Sequence, residues 1–270
     1  MNKNVYATLL STPSYAIGVI ALYWNLKEVK SKYPFVCFCS KCIDDATIKI
    51  LSEVGIECVR LNDEINIPSR NQMESHWMHT FDKLLLWGAT EYNKMVFLDS
   101  DMLVVSNIDE LFDYKNFAAC AAGNLIHNDW TRLNSGLLVI EPSERIKEDL
   151  VEIINGELFL SWENRSIGDQ DIINMYIPNW FEKKELVLSE GYNMFYKNIG
   201  IYKKLYGYSF DNSEKQIKIV HFVGKEKPWH HNMIYTTFFC IKEFFTNRYT
   251  VGSYIHYYRL LLRVKRVCCK

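Results

Sequence analysis

The 270-residue sequence has no apolar run near the ~20 residues that a membrane-spanning helix needs, so a soluble or peripherally membrane-bound chain is expected. It has no leader pattern either: Met1 to Asn4 runs straight into strand-forming residues rather than into a charged segment and an apolar core. Neither sign of charge is in excess, with 31 basic and 32 acidic residues, which argues against nucleic acid as a partner. Internal repeats, low-complexity segments and linkers are also missing, and at 49% hydrophobic content the chain can bury one substantial core. The eight cysteines, without a leader, point to a reducing, cytoplasmic setting. Cys37, Cys39 and Cys42 lack the second cluster a zinc site requires. Two of them lie on the apolar run Phe35 to Cys39, so buried thiols are the simpler reading.

What charge there is lies unevenly. From Arg248 onward there are six basic residues and no acidic one, leaving 25 basic against 32 acidic residues before it. The chain therefore divides into a main domain, 1–247, and a basic, aromatic tail, 248–270. That tail (Tyr254, Ile255, Tyr257, Tyr258, Leu260, Leu261, Leu262 among Arg263, Lys265 and Arg266) reads in two ways. It is either a segment lying in an anionic membrane interface or a C-terminal helix packed on the body.

Strand and helix patterns alternate along the first half. Val5 to Leu10 predicts a strand, Ser11 to Ser14 a turn rich in capping residues, and Tyr15 to Val29 a helix. Phe35 to Cys39 is a second strand, Asp44 to Val54 a helix ended by Gly55, and Glu57 to Leu61 a third strand. A helix over His79 to Glu91 precedes the strand Met95 to Leu98; Phe117 to Ala122, Leu137 to Ile140 and Gln216 to Val220 are further strands, and Ser143 to Gly156 a further helix. This order predicts an α/β fold with a mixed, mostly parallel sheet flanked by helices. A Rossmann dinucleotide site would need glycines after the first strand, and Leu10 to Ser14 contains none.

Chemistry concentrates at strand ends. The strand Met95 to Leu98 runs into Asp99-Ser100-Asp101, whose carboxylates share one side of an extended chain with Cα atoms roughly 7 Å apart. Two adjacent carboxylates repel, and a hard cation such as Mg²⁺ or Mn²⁺ removes that cost while leaving positions for phosphate oxygens. After the strand Gln216 to Val220 come His221, Gly224 and Lys227: an imidazole to complete a cation's shell, a glycine for close backbone approach, and a lysine for phosphate. Asn134, Ser135 and Gly136 stand at the entrance of another strand, as a sugar-hydroxyl site or as a plain turn. Asp169-Gln170-Asp171 opens a helix, either as an N-terminal cap or as a carboxylate and amide beside a reacting sugar.

In this order, from Val5 to Trp229, these residues resemble the glycogenin-like members of glycosyltransferase family 8, which use the GT-A fold. The Gly168-Asp169-Gln170-Asp171 form also resembles the lipopolysaccharide galactosyltransferases of that family. The resemblance implies metal ligation by Asp99, Asp101 and His221, with Mn²⁺ the expected ion. It implies nucleotide contacts at Leu9, Ser11, Thr12 and Tyr15, and donor contacts at Lys83, Ser100, Asn134, Ser135, Gly224 and Lys227. Asp169 and Gln170 would be catalytic, beside the transferred sugar. The implied reaction is retaining transfer of a hexose, glucose first, from a UDP-sugar to a protein or glycan hydroxyl. Self-glycosylation within a homodimer is one form of it, and galactosyl or other hexosyl transfer to a glycan or lipid-linked acceptor is another. A nucleotide-sugar-binding protein without catalysis is the rival, supported by the lack of a family arginine at Met73 to Trp77 and opposed by Asp99, Asp101, Asp169, Gln170 and His221.

Overall fold

The computed structural model describes residues 3–65, 79–156, 167–211 and 214–268, with the side chains of 79, 233 and 265–268 outside the description. Met73 to Trp77 and the tail cations Lys265, Arg266 and Lys270 thus lie outside it. The elements are β1 (Lys3–Leu10), α1 (Ala16–Glu28), β2 (Phe35–Cys39), α2 (Asp45–Glu53), β3 (Glu57–Arg60), a 3₁₀ segment (His79–Gly88), β4 (Tyr92–Leu98), β5 (Met102–Val104) and β6 (Leu137–Ile140). They continue as α3 (Glu144–Asn155), α4 (Asp169–Tyr176), β7 (Met194–Phe195), α5 (Ile199–Tyr206), β8 (Ile219–His221) and α6 (Met233–Cys268).

The main sheet has the order β3-β2-β1-β4-β6. β1, β2, β3 and β4 pair in parallel, while β6 lies antiparallel to β4. Side chains alternate across β1, so Tyr6 and Leu10 enter the core on one face and Val5 and Ala7 that on the other. A second sheet, β5-β8-β7, begins where the chain turns out of β4. Local chemistry fixes the helix ends: the Asp44 carboxylate accepts the Thr47 N–H at 2.7 Å to start α2, and Gly55, at φ +93°, ends it.

Three elements differ from the sequence expectation. His79 to Glu91 is not an α-helix: the segment is 3₁₀ and ends at Gly88, and its spacing of three places Phe81, Leu84 and Trp87 in the core together. Phe117 to Ala122 is not a strand. Phe117 sits at φ +67°, its N–H donates to Val139 O, and only isolated bridges form at Ala119 and Cys120, so the segment lies beside the edge strand β6 without forming a strand of its own. The strand expected over Gln216 to Val220 is shorter and later, so that His221 is its last residue.

Helix α6 bends at Asn247 (φ −149°, ψ 63°). Beyond the bend, Tyr254, Tyr257, Leu260, Leu261 and Val264 recur at three to four residues and lie in the core, while Arg263 and His256 reach Glu28 on α1. Before the bend the helix exposes Ile234, Phe238, Phe244 and Phe245, from 60% to 81%. An apolar cavity of about 660 Å³ lies between the arms, lined by Cys240, Ile241, Phe244, Val251, Ile255 and Tyr258. No helix among the described residues is long and apolar enough to cross a membrane.

Candidate active site

Strand β4 delivers Asp99 to the C-terminal edge of the sheet, where ligands of open α/β sheets collect. The Asp99 N–H donates to Gly136 O at 2.8 Å, and Met102 N–H closes back on Asp99 O at 3.1 Å. This tight turn carries Asp101 against β8, where Phe222 N–H donates to Asp101 O at 3.0 Å. His221 is thereby paired across the second sheet with Met102. Its Nε2 lies 3.1 Å from Asp101 Oδ1 and 4.0 Å from Asp99 Oδ2, and one ligand atom from each of the three residues falls within 4.8 Å of the others.

Two glycines make this approach possible. A Cβ on Gly136 would stand 2.6 Å from His221 Cε1, and one on Gly18 would stand 2.8 Å from Ser100 O. Ser100 is buried, and the Tyr257 hydroxyl of α6 donates to its carbonyl at 3.4 Å. The far end of the chain therefore supports the turn between the two carboxylates.

Two buried lysines flank the cluster. Lys227 Nζ lies 2.5 Å from Asp101 Oδ2 and donates to Phe222 O at 3.1 Å. Lys83 Nζ lies 2.9 Å from Asp169 and 3.2 Å from Asp99, and donates to Ser135 O at 3.2 Å. Burial disfavours charge on Lys83, but Asp169 and Asp99 outweigh it and hold the ammonium above its ordinary pKa. Burial pushes Asp99 up, with Lys83 opposing and Asp101 adding to the rise. Burial acts the same way on Asp101, yet His221 and Lys227 prevail and its carboxyl is held below the usual range. Burial also raises the Tyr15 phenol, against the pull of Lys227.

The second acidic pair divides its work. The Asp171 carboxylate accepts Gly168 N–H at 2.8 Å and pairs with Arg132, so Asp171 is the cap of α4. Asp169, two residues earlier, is buried and faces Lys83. Gln170 Oε1 accepts Asn134 Nδ2 at 3.0 Å and Ser135 N–H at 3.3 Å. Asp99, Asp101, His221, Lys83, Lys227, Asn134, Ser135, Asp169 and Gln170 thus form one connected group.

The other expected contacts sit around it. Leu9, the last but one residue of β1, is half-buried, Ser11 and Thr12 follow on the turn, and Tyr15 packs edge-on against Trp229 with ring centres 5.3 Å apart. Gly224, at φ +108°, occupies the exposed bend before Lys227. Sequence reasoning did not single out Asn193, whose Oδ1 lies 2.8 Å from His221 Nδ1 and whose Nδ2 donates to Asn134 Oδ1 at 2.7 Å. It precedes a two-residue strand and carries no periodic signal.

The profile of glycosyl transferase family 8 matches residues 7–233. Mouse glycogenin-1 is 31% identical over 242 residues, covering 86% of this chain and 67% of that protein. Inositol phosphorylceramide glucuronosyltransferase 1 of Arabidopsis thaliana is 27% identical over 244 residues, covering 84% of this chain but 43% of its own length. Among solved structures, the galactosyltransferase LgtC, in complex with donor and acceptor sugar analogues, shares the fold at a TM-score of 0.62 and 16% identity, covering 96% of this chain and 95% of that one.

Proposed function

The chain belongs to glycosyl transferase family 8, and we propose that it transfers a hexose, glucose in the first instance, from a UDP-sugar to a hydroxyl acceptor with retention of configuration. One observation carries the proposal: Lys83 touches both Asp99, in the carboxylate–imidazole cluster, and Asp169, in the amide-rich group around Gln170. A leaving-group side and a sugar side are thereby set against each other.

Two carboxylates and an imidazole nitrogen within reach of one point form a donor set that fits a divalent cation, and the imidazole favours Mn²⁺ over Mg²⁺. Asp99, Asp101 and His221 would hold such a cation, whose positive charge would stabilise the diphosphate oxygens of the leaving group. Lys227, buried beside Asp101, adds a second positive charge on that side. On the sugar side, Lys83 keeps a positive charge against Asp169, which suits a carboxylate facing oxocarbenium character as nucleophile or as counter-charge. Gln170 and Asn134 give the polar lining for sugar hydroxyls.

The likeness to glycogenin-1 supports glucose. So does charge: Lys83 and Arg132, the cations flanking Asp169 to Asp171 among the described residues, are both paired with carboxylates, which suits a neutral hexose better than a glucuronate. On the acceptor side, the Tyr202 hydroxyl donates to Glu190, that of Tyr206 to Leu125 O, and that of Tyr208 lies 3.3 Å from Ser189. These engaged hydroxyls favour a separate glycan or lipid-linked acceptor over self-glycosylation. The exposed apolar face of α6, flanked by exposed Lys242, Arg248 and Arg259, supports docking on an anionic lipid surface.

The test is Mn²⁺-dependent release of UDP from UDP-glucose, UDP-galactose, UDP-xylose and UDP-N-acetylglucosamine, with the intact mass of the protein recorded after each reaction. Fastest turnover of UDP-glucose at constant protein mass is expected. Hexose-step mass gains would establish self-glycosylation instead, and no metal-dependent release from any donor would overturn the enzyme reading.

A further inference from the structure

His221 and Asn193 are both buried, at 4% and 1% exposure, so the groups around the imidazole must satisfy one another without help from bulk water. Two backbone N–H groups set the polarity of everything between them. Gly136 N–H lies 3.1 Å from the Asn134 side chain and Ser135 N–H 3.3 Å from that of Gln170. A backbone N–H can only donate, so the atoms it meets must be the amide oxygens. Asn134 Nδ2 is then turned to Gln170 Oε1, at 3.0 Å, and its Oδ1 is left to receive Asn193 Nδ2, at 2.7 Å. That leaves Asn193 Oδ1 against His221 Nδ1, at 2.8 Å. An oxygen there requires Nδ1 to carry a hydrogen. Reversing any one amide would set two donors or two oxygens against each other.

We infer that Asn193 is a positioning residue: it fixes the Nδ1–H tautomer of His221, under orders passed from the Gly136 and Ser135 backbone through Asn134. With Nδ1 committed to Asn193, Nε2 is the nitrogen left for the cation side: in the metal-free protein it lies 3.1 Å from Asp101 Oδ1, where it holds a hydrogen toward the carboxylate, and a bound cation would take that hydrogen's place. Metal-binding histidines characteristically have their second nitrogen held in this manner, and losing the outer partner weakens metal binding. The relay also ties the sugar-side amides to the cation side, since Gln170 and Asn134 set the ring that ligates. Its geometry is independent of the proposed function; its consequence for metal binding rests on that reading.

The experiment uses the full, metal-free chain with ¹⁵N-labelled histidine. Long-range ¹H–¹⁵N spectra report which ring nitrogen is bare, and the His221 signals are recognised by their loss in His221→Asn. The wild type is expected to carry a hydrogen on Nδ1. Asn193→Asp, which keeps an oxygen at Nδ1, should retain this form, and Asn193→Leu should lose it. A wild-type ring with a bare Nδ1, or a Leu variant whose Nδ1 keeps its hydrogen, would overturn the relay. Mn²⁺ affinity, followed by the electron paramagnetic resonance of the free ion, should fall about 10- to 100-fold in Asn193→Leu. Unchanged affinity alongside a switched tautomer would overturn the claimed control of ligation. A wild type with Nδ1–H but no Mn²⁺ uptake would leave the relay standing and defeat the metal-site reading instead.

Discussion

The Lys83 ammonium lies 2.9 Å from Asp169 Oδ2 and shares itself with Asp99, both contacts being made by a side chain only 7% exposed. Burying such a group is costly, and the attraction of two carboxylates compensates it only while all three remain. Lys83→Met, close in volume, would leave Asp169 buried without its partner. The expected loss is about 3–5 kcal/mol of stability in urea unfolding, with transfer reduced by at least about 100-fold. A variant as stable and as active as the wild type would show that the bridge has no role.

Asp101 supplies a pH dependence whose sign follows from its surroundings. Burial alone would raise its pKa, but His221 and Lys227 bring it below the ordinary range. A carboxyl with a lowered folded value contributes stability above its unfolded pKa of about 3.9 and loses it as pH falls through the folded value. The metal-free protein should therefore lose stability steadily on acidification below about pH 4. Asp101→Asn should flatten that part of the curve in denaturant titrations. An equally steep acid loss in the variant would assign it to other carboxylates.

Much of this site is legible in the sequence because strand ends are legible. An apolar run stopping at Asp99, and another reaching His221, place both residues at the sheet edge before any fold is known. From the residue pattern either Asp169 or Asp171 could cap the helix, while the family resemblance named Asp169 as catalytic; at the helix start Asp171 bonds to Gly168 N–H and so caps, and Asp169 faces Lys83. Asn193 is hidden for a different reason. Its two partners, His221 and Asn134, are 28 and 59 residues away and meet it only through short strands with no pattern of their own. Of the two readings of the tail, the helix packed on the body holds for Tyr254 and Tyr257, which fill the core, while the exposed aromatics lie upstream of the bend.

Gly136 offers a steric test that leaves every polar group of the site in place. Its missing Cβ makes room for His221, whose Cε1 would stand only 2.6 Å from an added methyl, and Asn134 Oδ1 would be 3.0 Å away. The ring has Phe195 beside it, with centres 5.8 Å apart, and cannot yield freely. Gly136→Ala is therefore expected to cost about 1–3 kcal/mol by overpacking and to weaken Mn²⁺ binding more than UDP binding. Calorimetric titration of each ligand into wild type and variant separates the two effects. Equal losses for both ligands would point to general unfolding rather than displacement of His221.

The lipid-docking reading makes its own demand on α6. Truncation before Arg248 would remove Tyr254, Tyr257, Leu260 and Leu261 from the core, so point substitutions on the full chain are the sound test. Phe238, Phe244 and Phe245 are exposed at 68%, 60% and 81%, and changing them together to serine should leave the fold intact while removing the apolar face. After Glu243 the chain contains no acidic residue, so attraction to anionic lipid should persist in part and be screened by salt. In flotation with vesicles of mixed phosphatidylcholine and phosphatidylserine, wild type should rise with the lipid and the triple-serine chain should remain at the bottom in 0.15 M salt. Vesicles of phosphatidylcholine alone should retain little of either. Equal flotation of wild type and variant would move the contact away from α6, and no flotation of the wild type would remove the membrane from the list of partners.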